Sequence, residues 1–277
     1  MNILITGATG FIGSNVAAFL SKKNHNLFLI SKTNRYKFNK KNIISIKSDI
    51  NFNHKVLKKL IKFSPEVLIH LAWSGIPDYT KKNSKKNFDN QKKFFLKINN
   101  IKSIKKIIIT GSCSEYKDKE YLTSKYFTKA KIKIKNLAKK IFKENKVCLI
   151  WIRLFFVYGK NQNKRSLIPR IINSLRNGNE LQVLNPNAKH DYINVSDVVN
   201  FINLNLEYNR SYECDLGCSF SIKINDIYYF IKSALQDAAI KKLKKYKGGF
   251  VAKKINLKKI NWKPIVSMEK GILELLK

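Results

Sequence analysis

The first thirteen residues constrain the fold more than any other part of the chain. Residues 1–6 (MNILIT) form a short apolar run, long enough for one buried strand, and Gly7, Gly10 and Gly13 follow at three-residue intervals. Apolar residues at helical spacing then continue to Leu20. Since a strand, a glycine turn and a helix in this order open a dinucleotide-binding βαβ unit, the stretch predicts an α/β fold built around a nucleotide site.

Each glycine answers a different physical need. Gly7 lets the chain turn sharply after the strand, Gly10 removes a Cβ that would collide with a pyrophosphate, and Gly13 lets the helix pack closely on the sheet. The first amides of the helix carry a partial positive charge that favours phosphate. The predicted cofactor contacts in this turn are Gly7, Thr9, Gly10, Phe11, Ile12 and Gly13.

The glycine spacing with its flanking residues, TGATGFIGSNV, resembles the opening of the extended short-chain dehydrogenase/reductase family, which includes nucleotide-sugar epimerases, dehydratases and reductases. The resemblance implies a Rossmann fold, a doubly wound and mostly parallel sheet, with a smaller C-terminal substrate-binding region. We expect the dinucleotide-binding domain at residues 1–159, with returns near 190–217, and the substrate-binding region at 160–188 and 218–277.

The net charge of +37 comes almost entirely from lysines that are spread along the whole chain. A nucleic-acid surface would more often concentrate arginine and aromatic residues on one segment. Asn, Ile, Phe and Tyr are also abundant, as codon choice in an AT-rich genome would produce. We therefore predict no nucleic-acid partner, with RNA binding as the alternative. A basic surface would also attract anionic nucleotides.

Cysteine usage and hydropathy predict the compartment. Cys113, Cys148, Cys214 and Cys218 do not make a disulfide framework in a chain of 277 residues. Cys214 and Cys218 lack the two further nearby ligands of a zinc site, so free thiols and no metal are predicted. No apolar run reaches the length of a membrane span. Together these features predict a cytoplasmic location.

The end of the second predicted strand (26–30) indicates which cofactor is used. A carboxylate there would bind the 2′-hydroxyl of NAD, but residues 31–35 contain none. Ser31, Lys32 and Arg35 instead suit the 2′-phosphate of NADP. The sequence therefore predicts NADP, with NAD as the alternative.

Two later strand ends add to the predicted cofactor site. Asp49 and Ile50 follow the third strand (42–47), where the resemblance implies contact with the adenine. The alternative for Asp49 is a helix N-cap for residues 53–62. After the fourth strand (66–71), the resemblance assigns cofactor contacts and nearby support to Leu71, Ala72, Trp73 and Asn87.

The sequence HLAW at residues 70–73, followed by GxPxY at 75–79, resembles the family's reductases that make 6-deoxyhexoses such as 6-deoxytalose and abequose from 4-keto precursors. His70 is interpreted as a structural residue rather than an acid or a base. We predict that the loop from Trp73 to Tyr79 closes over the sugar. Packing of Trp73 in the core is the alternative.

Ser112, just after the fifth predicted strand (107–110), precedes Tyr121 and Lys125. Four residues apart on a predicted helix from about 120 to 144, the tyrosine and the lysine would share one face. A phenol has a pKa of about 10, and a neighbouring ammonium stabilises its phenolate. In the resembled family this trio is catalytic. Ser112 would hold the substrate oxygen, Tyr121 would transfer the proton, and Lys125 would support Tyr121 and hold the nicotinamide ribose.

The residues after Ser112 narrow the reaction. Dehydratases of the family carry carboxylates at the next two positions, where this chain has Cys113 and Ser114. Glu115 comes one residue late, so a 4,6-dehydratase is disfavoured. The interval from Ser112 to Tyr121 is also shorter than the family's substrate-facing loop, which implies a different pocket wall.

The second half of the chain continues the resemblance. A sixth strand (148–153) runs into LFFVYG, where the resemblance implies cofactor contacts from Phe155 and Val157. A helix (167–177) and a short strand (181–184) follow. HDYINVSD at 190–197 is similar to a family signature that opens on an arginine contacting the nucleotide diphosphate. Here His190 stands in that place, with Lys189 or Arg165 as candidates to substitute.

These features predict an NAD(P)-dependent oxidoreductase that reduces the 4-keto-6-deoxyhexose of a nucleotide-diphosphate sugar, for surface polysaccharide biosynthesis. A 4-epimerase, which runs the same hydride transfer out and back, and a non-catalytic dinucleotide-binding relative are the alternatives. A homodimer is left open. The predicted substrate contacts are Trp73, Tyr79, Ser112, Cys113, Arg165 and His190.

Overall fold

A computed structural model describes residues 1–33, 40–116, 124–239, 241–254 and 260–277. This part of the chain folds as two compact units. The first comprises Met1–Arg153 with Ile202–Glu213, and the second comprises Leu154–Phe201 with Cys214–Lys277. The domain boundaries expected from the sequence stay a prediction. Among the helices described, none is long and apolar enough to cross a membrane.

Eleven strands and eight α-helices make up the described chain. The strands are β1 (Asn2–Thr6), β2 (Asn26–Ser31), β3 (Ile43–Lys47), β4 (Val67–His70), β5 (Lys106–Ser112), β6 (Cys148–Leu154), β7 (Phe156–Tyr158), β8 (Lys189–His190), β9 (Tyr192–Asn194), β10 (Tyr212–Leu216) and β11 (Ile222–Lys223). The helices are α1 (Phe11–Leu20), α2 (His54–Phe63), α3 (Lys81–Asn99), α4 (Lys125–Glu144), α5 (Leu167–Arg176), α6 (Val195–Leu204), α7 (Ile224–Leu235) and α8 (Met268–Leu276).

The main sheet has seven strands in the order β10-β6-β5-β4-β1-β2-β3. Strands β3, β2, β1, β4 and β5 pair in parallel. Their side chains are apolar on both faces, as in Ile3, Leu4 and Ile5, because helices cover both sides of a parallel sheet. The predicted doubly wound Rossmann fold is confirmed. Chain order reverses at β1, with β2 on one side and β4 on the other, and ligands of such sheets bind at this switch point.

Two predicted helix starts differ from the structure. Helix α2 is capped by the side chain of Asn53, which accepts a hydrogen bond from the amide of Val56, so the N-cap alternative for Asp49 is wrong. Helix α4 begins at Lys125 rather than near residue 120. Its N-cap is Ser124, which has extended backbone angles and accepts from the amide of Phe127. The serine hydroxyl competes with helical continuation and fixes the helix start there.

The predicted short strand over residues 181–184 is wrong, because this segment has no regular structure. Leu181 and Val183 pack against the core of the second unit, but Leu184 is 81% exposed. In that unit, β7 pairs in parallel with β9, and β8 pairs antiparallel with β11. The apolar run in the sequence therefore reflects one-sided packing of an irregular segment.

Two carboxylates of the 190–197 signature organise the second unit. Asp191 is fully buried and accepts hydrogen bonds from the amides of Cys218 (2.6 Å), Ser219 (2.8 Å) and Ala252 (2.9 Å). Asp197 accepts from the two consecutive amides of residues 265 and 266, at 3.0 and 3.1 Å. Each carboxylate therefore satisfies backbone donors of segments that lie far along the chain.

Candidate functional site

The glycine turn after β1 is closely packed against neighbouring backbone. Gly7 has a φ of +72°, and a Cβ there would lie 2.9 Å from the amide nitrogen of Ala72. A Cβ at Gly13 would lie 2.0 Å from the carbonyl oxygen of Gly7, so the helix and the turn meet with no room for a side chain. Gly10 is the N-cap of α1. The first amides of α1 are therefore available to an anion beside the turn.

A cleft of about 450 Å³ opens at the switch point of the sheet. It is lined by residues from the glycine turn, from the ends of β2, β3 and β4, and from α3. Many residues predicted to bind a cofactor line it together, namely Gly7, Thr9, Gly10, Ser31, Lys32, Asp49, Ile50, Leu71, Ala72, Trp73 and Asn87. A groove bordered by a glycine-rich turn and a helix N-terminus has the form that a dinucleotide fits.

Lys32 lies on the β2 side of the cleft and is already paired. Its Nζ is 2.8 Å from Asp49 Oδ2 and 2.8 Å from Ser74 Oγ. Partial burial opposes ionisation of Asp49, but hydrogen bonds from Lys32 and from backbone amides outweigh it and lower the pKa of this carboxyl. A 2′-phosphate at this end would therefore share Lys32 with a carboxylate. Arg35 lies outside the described residues.

His70 at the end of β4 is a buried structural residue in the described contacts. Its Nδ1 lies 2.7 Å from Thr6 Oγ1, and its Nε2 is hydrogen-bonded to the side-chain oxygen of Gln91. The ring stacks on Phe94 at a centroid distance of 4.8 Å. The amide nitrogen of Gln91 donates to the carbonyl of Ala72 at 2.8 Å. This chain of hydrogen bonds fixes the backbone where β4 leaves the sheet and meets the cleft.

The loop that follows β4 is held to α3 by two asparagines. Asn87 Oδ1 accepts from the amide of Ser74 at 2.8 Å, and its Nδ2 donates to the carbonyl of Ser74 at 3.0 Å. Asn83 Nδ2 donates to the carbonyls of Ser74 (3.0 Å) and Asp78 (2.7 Å). Gly75 has a φ of +82° and passes so close to Asn83 that a Cβ would lie 2.7 Å from the amide nitrogen. Asn87 therefore shapes the loop, and its predicted place in the cofactor site stays a prediction.

Trp73 and Tyr79 from this loop pack on Phe127 of α4, with ring centroids 5.1 and 4.9 Å apart. Burial raises the pKa of the Tyr79 phenol, with the thiol of Cys113 adding to the rise. Trp73 lines the cleft, whereas Tyr79 does not. Trp73 therefore packs against an apolar side chain and also lines the cleft, and the closure of its loop over the sugar stays a prediction.

Sequence reasoning missed Lys131. This lysine of α4 is buried, its Nζ donates to the carbonyl of Thr110 at 3.1 Å, and it lies 4.3 Å from the centroid of the Trp73 ring. Its burial could have been predicted from its spacing. It lies four residues after Phe127 and three before Ile134, on the apolar face of the helix. In a chain so rich in lysine, that signal was hidden by the surrounding charges.

Ser112 ends β5 and caps the short turn that follows it. Its Oγ accepts from the amide of Ser114 at 3.2 Å, and its amide donates to Glu115 Oε1 at 2.8 Å. The Glu115 carboxylate also accepts from Trp151 Nε1 at 3.1 Å and pairs with Lys135 Nζ at 3.3 Å. Gly111 makes room for it, because a Cβ there would lie 2.2 Å from Glu115 Oε1. Glu115 is therefore turned into the protein.

Of the predicted Tyr121–Lys125 pair, the structure describes only Lys125. Lys125 is the first residue of α4, is exposed, and its Nζ lies 5.5 Å from the centroid of the Tyr126 ring. Tyr121 lies outside the described residues. Helix α4 starts only after the extended Ser124, so the predicted helix start near residue 120 is wrong, and the relation of Tyr121 to Lys125 stays a prediction.

The remaining predicted residues are distributed over both units. Phe11, Ile12 and Gly13 form the first turn of α1, and Cys113 is a buried thiol beside Ser112. Four others belong to the second unit, namely Phe155, Val157, Arg165 and His190. There, His190 stacks on Phe156 at 4.0 Å, and burial lowers the pKa of its imidazole. No disulfide joins the four cysteines, all of which are described, and within the described ranges no group of three or more His, Cys, Asp or Glu side chains is placed to hold a metal.

Known proteins resemble this chain over most of its length. CDP-abequose synthase of Salmonella muenchen is 23% identical over 296 residues, covering 99% of this chain and 96% of that protein. A dTDP-D-glucose 4,6-dehydratase of Dictyostelium discoideum is 24% identical over 263 residues, covering 81% of this chain and 60% of that protein. The solved UDP-glucose 4-epimerase of Thermotoga maritima has the same fold, with a TM-score of 0.83, 19% identity and coverage of 99% and 96%.

The family itself is established by a match along most of the sequence. The profile of the NAD dependent epimerase/dehydratase family matches residues 3–215, a range that includes the glycine turn, the cleft, Ser112 and the 190–197 signature. The chain belongs to the NAD dependent epimerase/dehydratase family.

Proposed function

We propose that this protein is an NAD(P)-dependent oxidoreductase of a nucleotide-linked sugar, and that it reduces a 4-keto-6-deoxyhexose. Family membership supports the nucleotide-sugar substrate class. The similarity to CDP-abequose synthase, which extends over both chains almost completely, supports the reductase subgroup. The HLAW and GxPxY sequences at 70–79 point in the same direction.

The observation that carries the choice of reaction is the position of Glu115. Loss of water from a sugar requires a group that removes a carbon-bound proton and an acid that protonates the leaving hydroxyl. Between Ser112 and Tyr116, Glu115 is the only carboxylate, and it is held by Trp151 and Lys135 inside the first unit. A reduction needs only a proton donor beside the carbonyl, so the residues after Ser112 suit reduction better than 4,6-dehydration.

We assign the cofactor to the cleft at the switch point, where the glycine turn and the N-terminus of α1 would hold the pyrophosphate. When bound, a nicotinamide dinucleotide supplies the hydride. Solved neighbours such as the Thermus thermophilus UDP-glucose 4-epimerase are complexes with NAD. A preference for NADP rests on residues 31–33, which carry Lys32 and no carboxylate.

The proposed catalytic residues are Ser112, Tyr121 and Lys125. The Ser112 hydroxyl would hold the sugar oxygen, and the Tyr121 phenol would give it a proton. Lys125, the first residue of α4, adds its ammonium to the positive end of that helix. Both charges favour the phenolate that remains after proton transfer, which lowers the barrier to that transfer.

The test is to supply a nucleotide-linked 4-keto-6-deoxyhexose with NADPH or NADH and to measure cofactor oxidation and product mass. A reductase oxidises one cofactor per product. A 4-epimerase is identified instead when a nucleotide sugar that bears a C4 hydroxyl is inverted at C4 without net change of the cofactor, and cofactor binding without any product from either sugar identifies a non-catalytic relative. Tyr121→Phe should lower kcat by at least about a hundredfold and leave cofactor affinity unchanged. Tyr229→Phe, at a residue 58% exposed on α7, is the matched control.

A further inference from the structure

Ser112, the last residue of β5, is held from two sides by the turn that follows it. Its backbone is extended, with a φ of −146° and a ψ of 146°. Its amide donates to Glu115 Oε1 at 2.8 Å, and its Oγ accepts from the amide of Ser114 at 3.2 Å. These reciprocal bonds form a capping box between the serine and the glutamate of the turn. The main chain and the hydroxyl of Ser112 are therefore fixed together.

The capping box leaves the Ser112 hydroxyl able to donate. A serine hydroxyl has one hydrogen and two lone pairs, and the Ser114 amide occupies one lone pair. Ser112 Oγ also donates to Ser114 Oγ, at 3.1 Å. Because that hydrogen can rotate, it can turn to a substrate oxygen while the Oγ atom stays in place. Ser112 is only half-buried, so its hydroxyl is accessible to such a group.

Glu115 occupies a site that fits a carboxylate closely. Its side chain is 1% exposed and pairs with Lys135 Nζ of α4 at 3.3 Å. Both of its oxygens lie 3.1 Å from Trp151 Nε1 of β6. Gly111 belongs to the same arrangement, since a Cβ there would lie 2.2 Å from Glu115 Oε1 and 2.3 Å from Trp151 Nε1. The carboxylate therefore joins the end of β5 to two neighbouring elements.

Folding alone does not require a carboxylate in this place. Removing an ion pair from water costs free energy, and well-packed apolar side chains are often at least as stable. An apolar side chain could not accept from the Ser112 amide, however. A charged acceptor also makes a shorter and stronger hydrogen bond than a neutral one. These properties suit a backbone that must be held within a fraction of an ångström, as the support of a functional site requires.

We propose that Glu115 is a positioning residue, which holds Ser112 in register with the sugar oxygen. The inference rests on the proposed function for the role of Ser112. Glu115 acts through the Ser112 amide, and Lys135 and Trp151 keep the carboxylate in place. A displacement of about 1 Å at a group that orients a reacting atom can slow a reaction about a hundredfold. Loss of the carboxylate should therefore lower kcat.

The experiment measures kcat for a nucleotide-linked 4-keto-6-deoxyhexose in two backgrounds, the unaltered protein and Ser112→Ala. In the unaltered protein, Glu115→Leu should lower kcat about a hundredfold and leave NADH affinity unchanged. In Ser112→Ala, the same change should lower kcat less than about twofold, because the hydroxyl that it positions is already absent. Glu115→Gln keeps one acceptor oxygen and should restore about tenfold of the loss.

A merely structural glutamate predicts an equal loss of kcat in both backgrounds, and that result would overturn the inference. A kcat for Glu115→Leu like that of the unaltered protein would do the same. If the leucine variant does not fold, the glutamine variant in both backgrounds decides alone.

The matched control is Glu213→Gln, because Glu213 is a half-buried carboxylate that also pairs with Lys135, at 3.4 Å. Its kcat should equal that of the unaltered protein. An equal fall of kcat in Glu213→Gln and Glu115→Gln would assign the effect to the charges around Lys135 and contradict the inference.

Hydrogen exchange, followed by NMR without substrate, tests the contact itself. In Glu115→Leu the Ser112 amide should exchange at least about tenfold faster, because its acceptor is removed, while the amide of Ile108 in β5 keeps its rate. An unchanged Ser112 rate would overturn the inference whatever the kinetics show.

Failure of the proposed function gives a different pattern. The unaltered protein would then turn over no nucleotide sugar, or Ser112→Ala would turn it over as fast as the unaltered protein. Either result would remove the role of Ser112, and the inference with it. Slow turnover by Ser112→Ala with normal turnover by Glu115→Leu would overturn the inference alone.

Discussion

At the scale of single residues, His70 shows how a buried, neutral side chain holds the backbone beside the cleft of the first unit. Gln91 donates its amide nitrogen to the Ala72 carbonyl, so its oxygen accepts from His70 Nε2–H. His70 Nδ1 is then left to accept from the Thr6 hydroxyl. The neutral ring is satisfied at both nitrogens, and burial lowers its pKa to about 4. Protonation would break this arrangement and place a charge inside the sheet.

A pH dependence of stability follows from His70. Its pKa is lower in the folded than in the unfolded chain, so the unfolded state binds more protons between pH 6.5 and about 4. The contribution of His70 is complete above pH 6.5 and is lost as the pH falls toward 4. Urea unfolding measures the free energy of unfolding. As the pH falls through this window, that free energy should drop by about 3 kcal/mol more in the unaltered protein than in the His70→Asn variant. The control is His54→Asn, at an exposed position, whose free energy of unfolding should fall with pH as much as that of the unaltered protein. Parallel curves for the protein and His70→Asn would contradict the assignment.

At the scale of elements, the start of α4 is tied to the loop that follows β4. Ser124 caps the helix, and its hydroxyl donates to the carbonyl of Tyr79. Tyr79 in turn packs on Phe127, in the first turn of the same helix. One serine therefore links the helix that begins with Lys125 to the loop that contains Trp73.

Removal of that serine should separate a capping effect from an effect on the site. Ser124→Ala should lower the free energy of unfolding by about 1 kcal/mol, because an N-cap is lost. It should also raise the KM for the nucleotide sugar about threefold, since the loop loses a hydrogen bond. Ser267→Ala removes the N-cap of α8 in the second unit and is the matched control. This control should lower the free energy of unfolding by a similar amount and leave the KM unchanged. An equal KM in both variants would show that the loop does not depend on Ser124.

At the scale of the whole molecule, the net charge of +37 surrounds a cleft that is proposed to take anionic ligands. Positive potential raises the rate at which anions encounter a protein, and dissolved salt screens it over about 10 Å at 0.1 M. Nucleotide sugars carry a diphosphate, so their association should benefit. The rate of the chemical step should not change, because salt screens buried interactions much less.

Raising the salt concentration from about 0.02 to about 0.5 M should therefore lower kcat/KM for the nucleotide sugar about tenfold, with kcat unchanged. Steady-state kinetics at constant pH measures both quantities. Adenosine, which lacks phosphate, should bind with an affinity that salt hardly alters. If kcat/KM were independent of salt, the lysines would reflect composition alone.

Local pattern was sufficient for the part of the fold that depends on neighbours in sequence. Strands are predicted by short apolar runs, such as residues 1–6 and the later strand segments. The turn is predicted by glycines at 7, 10 and 13, where the backbone has no room for a side chain. These features, with the family resemblance that they carry, predicted the Rossmann sheet, the family and many of the residues that line the cleft. Periodicity is a property of consecutive residues, so it can be recognised in the sequence before the fold is known.

What only the tertiary structure decided were the interactions between distant residues. Glu115 meets Trp151, and Lys131 meets Trp73, across 36 and 58 positions of sequence. Contacts between residues so far apart leave no periodic pattern in the sequence. Local pattern therefore does not predict which charged side chain becomes buried. The start of α4 was equally hidden, because Ser124 competes with residues nearer 120 and also bonds to the Tyr79 carbonyl. The sequence by itself determined the sheet and the glycine turn that borders the cleft, while packing decided which charged side chains line that cleft and which are held inside the protein.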